Sequence, residues 1–272
     1  AALCHGTVGL QHAAMAVYNA WCDRAASYIM VGNRMDADTR QPGVPTIHAV
    51  QDPGSLIRDF TKWDDNPQSL QHFAESAVRA YKIAMTPPMG PVAIVASGLL
   101  QEEPIEEKNL RIPKLSPTIP PQGDSGAIAE LAKLLVNAEN PMIVAGRMAR
   151  SQNGMKLLVE LADTLQCSVN DQRNRMNFPS TNPFSVGGNV ADSDVILGLE
   201  VQDFFNSTHR NGRPVFKAGT KTITITALEL SHKANYQDFG RYAESDIAIP
   251  ADAEATLPWL IEACKKLMTG DR

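Results

Sequence analysis

The chain has 272 residues, of which 43% are apolar and 20% charged, with a formal charge of −5. That balance suits a soluble globular protein of one large or two ordinary domains. No basic stripe exists to neutralise phosphates, which argues against a general nucleic-acid binder, and no run of about 18 apolar residues offers a membrane span. The cysteines Cys4, Cys22, Cys167 and Cys264 lack CxxC spacing. They read as free thiols in a reducing, cytoplasmic setting rather than a zinc site or disulfide framework.

The opening Ala1-Ala2-Leu3-Cys4-His5-Gly6 has neither a cationic segment nor a cleavage signal, so it is not expected to act as a signal peptide. It reads as the end of a β-strand without a preceding turn, and the chain is expected to be a piece of a longer protein. A helix over Leu10 to Cys22 and a strand over Ser27 to Gly32 follow, then a polar loop from Asn33 to Thr46. From Ser69 to Met85, Leu70, Phe73, Ala74, Ala77, Val78, Tyr81 and Ala84 recur at spacings of three and four, which predicts a helix. Pro87-Pro88 ends it, because proline lacks the helical N–H and restrains the residue before it. Pro91 to Ser97 is an apolar strand of the kind buried on both faces.

Between Gln101 and Asp124 five prolines and a cluster of acids replace any periodicity, so this stretch reads as an interdomain linker. A second pattern starts at Ser125: helices over 127–137, 154–165 and 255–268, and strands over 141–146, 167–169, 194–199, 221–226 and 247–249. The strand over 221–226 alternates as a half-exposed strand does. The expected fold is α/β, two doubly wound, mostly parallel sheet domains, the first (1–100) truncated at its N-terminus and the second (125–272) Rossmann-like.

His5-Gly6-Thr7-Val8-Gly9 lies where a strand hands over to a helix, the place where ligands bind in open sheets and where glycine lets backbone approach. A turn that merely caps the helix fits the same residues. Gln51-Asp52 at a loop end can orient a substrate, or Asp52 can cap a helix starting near Gly54. Gly146-Arg147 and Gly198 follow strands, but without GxGxxG they read as ordinary turns. Gly123-Asp124-Ser125 imitates a metal-diphosphate motif, yet no buried strand precedes it, so Asp124 reads as an N-cap. His12, His48, His72, His209 and His232 show no ligand spacing, and no metal-binding residue is identified.

The stretch His5 to Trp21, the strand 27–32, Ala49 to Asp52, Phe60-Thr-Lys-Trp63 and Ala84 to Val92 together resemble the later part of the pyrimidine-binding domain of acetolactate-synthase-like thiamine-diphosphate enzymes. Pro141 to Gly146, Ala191 to Gly198 and Glu244 to Ala253 are similar to the central domain of the same family, in the same order. The resemblance implies decarboxylation or carboligation of 2-oxo acids or related carbonyls, with thiamine diphosphate and magnesium in the complete enzyme. It places Gly6 and Thr7 by the cofactor's pyrimidine end and makes Gln51 the active-site glutamine. The chain departs from the family at Gly9, usually asparagine, and at Asp52, usually glutamate. The stretch Pro183 to Asn189 lacks the usual glycine-rich loop, which argues against flavin. The family's activating glutamate and metal-binding residues match nothing in these residues, so the chain is not expected to catalyse alone. A homodimer, a higher oligomer or a partner chain supplying the missing segments is expected. The alternative is a non-catalytic binding or scaffold module of the same folds, with an adenine-nucleotide site in the central domain.

Overall fold

The structure is a computed structural model that describes residues 1–34, 48–102, 104–105, 110–173, 175–230 and 241–268. Most of the loop expected over Asn33 to Thr46, and His232, lie outside the described residues. The described residues divide into two compact units, one ending at Ile119 and the other starting at Pro120.

In the first unit, β1 (Ala2–Cys4), β2 (Tyr28–Asn33), β3 (Trp63–Asp65) and β4 (Val92–Ser97) form a parallel sheet of order β1-β2-β4-β3. Alternation sends Ile29, Val31 and Ala93 to one face, where they pack with Leu10 and Val17 of α1 (Thr7–Cys22). Val92 and Ile94 on the other face pack with Ala80 and Ala84 of α2 (Leu70–Met85). Helices thus cover both faces, which is why β4 is apolar throughout. The Ser69 hydroxyl accepts from His72 N at the start of α2, and Lys62 Nζ donates to Ile83 O and Thr86 O (both 2.7 Å) at its end.

In the second unit, β5 (Pro141–Ala145), β6 (Ser168–Asp171), β7 (Val195–Leu199), β10 (Lys221–Ile225) and β11 (Ile247–Ile249) form a parallel sheet of order β11-β10-β7-β5-β6. Ile143, Leu197, Leu199, Ile223 and Ile225 face a core closed by α4 (Ser125–Asn137), α5 (Gln152–Leu165) and α7 (Ala253–Leu267). Met142, Val144 and Ile196 meet Phe204 of the short α6 (Phe204–Thr208) on the other face. Asp124 caps α4 by accepting from Ala127 N (2.9 Å), as its position before the helix predicts.

Several expectations are corrected. β10 is not half-exposed: lying between β7 and β11, it buries Thr222, Ile223 and Ile225 and exposes only Lys221. Residues Gly98–Glu102 form a short helix, α3, where the linker was expected to start. The helix expected near Gly54 is a pair of 3-10 turns, Pro53–Leu56 and Arg58–Phe60. Three further strands are not expected from sequence: β3, and the antiparallel pair β8 (His209–Arg210) and β9 (Arg213–Pro214), joined through Asn211-Gly212 with φ of 50° and 77°.

Candidate functional site

Parallel strands place all their carboxyl ends on one edge, and in the first unit that edge gathers the residues singled out from sequence. β1 ends at Cys4, and Gly6 precedes α1. Thr7 donates twice to His48 O, from its backbone N (2.9 Å) and from Oγ1 (2.7 Å). Gly6 has no room for a side chain: a Cβ there would lie 2.7 Å from His48 O and 3.1 Å from Gly32 O. The glycine therefore serves a close approach of three backbone segments. The rings of His5 and His48 meet edge to face, 4.8 Å apart.

Asn33, at the end of β2, donates from Nδ2 to Val50 O (2.9 Å). The residue is 6% exposed, and its Oδ1 is buried with no hydrogen-bond partner among the described residues. A buried acceptor left without a donor costs about 1–3 kcal/mol, so this atom marks a place where a donor is wanted. Gln51 follows directly and is exposed. The structure thus brings Gly6, Thr7 and the backbone leading into Gln51 to one place. Asp52 caps the turn Pro53–Leu56 by accepting from Ser55 N (3.2 Å). Hydrogen bonding to the Arg58 guanidinium holds its carboxyl below the usual range. Asn33, His48 and Arg58 were not picked out as site residues from sequence. Asn33 was discoverable, since it ends a strand that feeds the ligand-binding edge; the other two carry no local signal.

In the second unit the order in which strands are added reverses at β5, with β6 on one side and β7, β10 and β11 on the other, which creates a crevice at the ends of β5 and β7. That crevice is narrow beside Gly146, which donates to Leu199 O (2.9 Å), while Arg147 N donates to Glu200 O (3.0 Å). A Cβ on Gly146 would overlap the Glu200 carbonyl. Glu200, 4% exposed with φ 50°, accepts from Ala227 N (3.1 Å), Ala253 N (3.2 Å) and Thr226 Oγ1 (3.2 Å). Beside it Arg150 grips Asp252 with two bonds of 2.8 Å, and Glu254 accepts from Arg150 N, Ser151 N and Ser151 Oγ. These groups tie loop to helix start.

Two cavities open farther out, of about 560 and 550 Å³, and share Gln202 and Asp203. The floor of the first includes Gly198, Thr224 and Ala248, which stand in register across β7, β10 and β11. Phe204 and Phe205 form one wall, with the Arg241 guanidinium 4.5 Å from the Phe205 ring centroid. The second is lined by carboxamides, Asn170, Gln172, Gln202 and Asn206, with Arg210 at its side.

Among the described residues no group of three or more His, Cys, Asp or Glu is arranged to hold a metal ion, and no helix is long and apolar enough to cross a membrane. Residues 128–260 match the family model described as the central domain of thiamine pyrophosphate enzymes. Among solved structures, a protein from Mycobacterium smegmatis assigned as thiamin diphosphate-dependent matches with a TM-score of 0.77 and 21% identity, over 96% of this chain and 50% of that one. Benzoylformate decarboxylase from Polynucleobacter necessarius matches with a TM-score of 0.75 and 20% identity, over 97% of this chain and 48% of that one. At such identities the two structures establish the fold, and the chain spans about half their length.

Proposed function

We propose that this chain, whose residues 128–260 belong to the thiamine pyrophosphate enzyme central-domain family, forms two domains of an acetolactate-synthase-like enzyme that decarboxylates or joins 2-oxo acids or related carbonyls. The observation that carries the reading is the junction of Gly6, Thr7, Asn33 and the loop 48–51 at the ligand-binding edge of the first sheet. The residues there suit the amino-bearing heterocycle of thiamine diphosphate: the buried Asn33 Oδ1 wants a donor, and Gly6 brings backbone, not side chain, to the edge. Gly6 and Thr7 would hold the pyrimidine end, and Gln51 would face the cofactor's reactive carbon region. When bound, the cofactor supplies the electron sink that lets a bond to a carbonyl carbon break or form. The chain's own contribution is orientation. Thr7 holds the His48 carbonyl and Asn33 the Val50 carbonyl, two of the three just before Gln51, so its amide is presented from an anchored backbone toward the cofactor's reactive end.

Turnover is proposed for the whole protein, with magnesium, a dimeric or higher assembly and a cytoplasmic setting as parts of the same reading. The test is release of CO2 from pyruvate and from benzoylformate by the protein with thiamine diphosphate and magnesium added. Cofactor-dependent release that Gln51→Ala lowers at least tenfold supports the reading. Release that is indifferent to Gln51 contradicts the assignment of that residue.

A second reading, an adenine-nucleotide site in the second unit, draws support from the paired cavities around Gln202 and Asp203 at the sheet's carboxyl edge. Isothermal titration with ADP tests it, and no heat at millimolar nucleotide would sink it.

A further inference from the structure

The Arg58 side chain makes more bonds than the turn that carries it needs. It reaches back to Asp52, Nη1 to Oδ2 at 2.7 Å and Nη2 to Oδ1 at 3.0 Å. It also reaches forward to Asp64, Nε to Oδ1 at 3.0 Å and Nη2 to Oδ2 at 2.7 Å. Asp64 belongs to β3 and pairs with Ala93 of β4, so one end of this bridge is anchored in the sheet. The other end is the residue immediately after Gln51. The turn backbone passes close beneath: a Cβ on Gly54 would lie 2.6 Å from Asp64 Oδ2 and 2.9 Å from Arg58 Nη2.

Stability alone does not account for the arrangement. The Arg58 side chain is 44% exposed and that of Asp52 49%, so the pair beside Gln51 contributes little to folding, while the pair with Asp64, 17% exposed, is the firmer anchor. Geometry does account for it, because a planar guanidinium with a fork on each side fixes the separation and orientation of two carboxylates. On the opposite side of Gln51, Asn33 Nδ2 holds Val50 O. Gln51 itself is exposed, so its aim depends on where its backbone is held.

We propose that Arg58 is a positioning residue for Gln51, acting through Asp52 and anchored on Asp64. This rests on the reading of Gln51 as a cofactor-side residue. A lysine would not replace it fully, since an ammonium is a point charge and cannot engage both carboxylates in parallel pairs.

The experiment is a double-mutant cycle on thiamine diphosphate affinity, read from tryptophan fluorescence of the whole protein with magnesium, with amide exchange over 49–55 followed in parallel. The variants are R58M, R58K, Q51A and R58M/Q51A, with D64N releasing the bridge from its sheet end in case R58M does not fold. Loss of one oriented hydrogen bond corresponds to about a tenfold loss of affinity. R58M and D64N are expected to show that loss together with faster exchange at 50–55, and R58K to recover part of both. R58M/Q51A should be no weaker than Q51A alone. If the effects of R58M and Q51A multiply, or R58M leaves affinity and exchange unchanged, the positioning role is overturned while the cofactor reading stands. If the unmodified protein shows no response to thiamine diphosphate, the cofactor reading fails and the positioning role falls with it.

Discussion

Replacing Gly6 with alanine perturbs the candidate site through a single methyl group. The new Cβ would lie 2.7 Å from His48 O and 3.1 Å from Gly32 O, against ordinary contacts of 3.4 Å or more. Both neighbours are backbone, so neither can rotate away. The His48 carbonyl must retreat, and it accepts both bonds from Thr7, at 2.9 and 2.7 Å. Overpacking costs about 1–3 kcal/mol and each weakened hydrogen bond about 1 kcal/mol. The sum, about 3–5 kcal/mol, should lower the melting temperature of the first unit by about 12 °C or more. Trp21 and Trp63 lie in that unit and report its transition by fluorescence. Gly187→Ala is the control: nothing lies within 4 Å of its Cβ position, and an effect within about 0.5 kcal/mol is expected. A Gly6→Ala protein that melts like the control would refute the claim that the turn and the His48 loop are in backbone contact.

Further perturbations probe the second unit and two titrating groups. Gly146→Ala would drive a methyl into the Glu200 carbonyl, and a loss of more than about 3 kcal/mol in urea unfolding is expected. Arg150→Met leaves the Asp252 carboxylate, 3% exposed, without its counter-charge and, among the described residues, with only the Ala255 N–H to satisfy it, so unfolding measurements should show a loss of about 3 kcal/mol or more. Burial pushes the Lys62 ammonium down to about 8. Between pH 8 and the ordinary lysine value of 10.5 the unfolded chain then binds more protons than the folded one. Stability should therefore rise across that window, and Lys62→Met should flatten the rise in a pH series of urea melts. Burial pushes the Cys264 thiol up to about 12. Mass spectrometry after iodoacetamide treatment at pH 8 should find it unmodified in the native protein and modified in urea.

Elements whose signal lies within themselves were readable from sequence. α2 declared itself by its apolar spacing, Ser69 at its start and Pro87-Pro88 after its end, while β4 and β7 were apolar runs bounded by turns. β3 was not readable, because Trp63-Asp64-Asp65 shows no alternation and becomes a strand only by pairing with the edge of β4. The β8–β9 pair escaped for a related reason: Asn211-Gly212 is a hairpin signal, but its flanking residues carry no apolar alternation. At the site, Gly6 and Thr7 stood out by following a strand. Their contact with His48 spans 41 positions in sequence, and no local pattern encodes such a meeting. Of the two roles open to Asp52, the structure shows the cap, at a 3-10 turn, but its bond to Arg58 was hidden, since a charged residue after a turn usually reads as solvated surface.

Thiamine diphosphate is proposed to dock where the turn 5–7 meets the loop 48–51. Amide hydrogen exchange of the whole protein, with and without thiamine diphosphate and magnesium, tests this most directly. Slower exchange confined in the first unit to residues 6–10 and 49–52, and abolished by Gly6→Ala, is the predicted result. Cofactor-induced protection that leaves those residues untouched would contradict it.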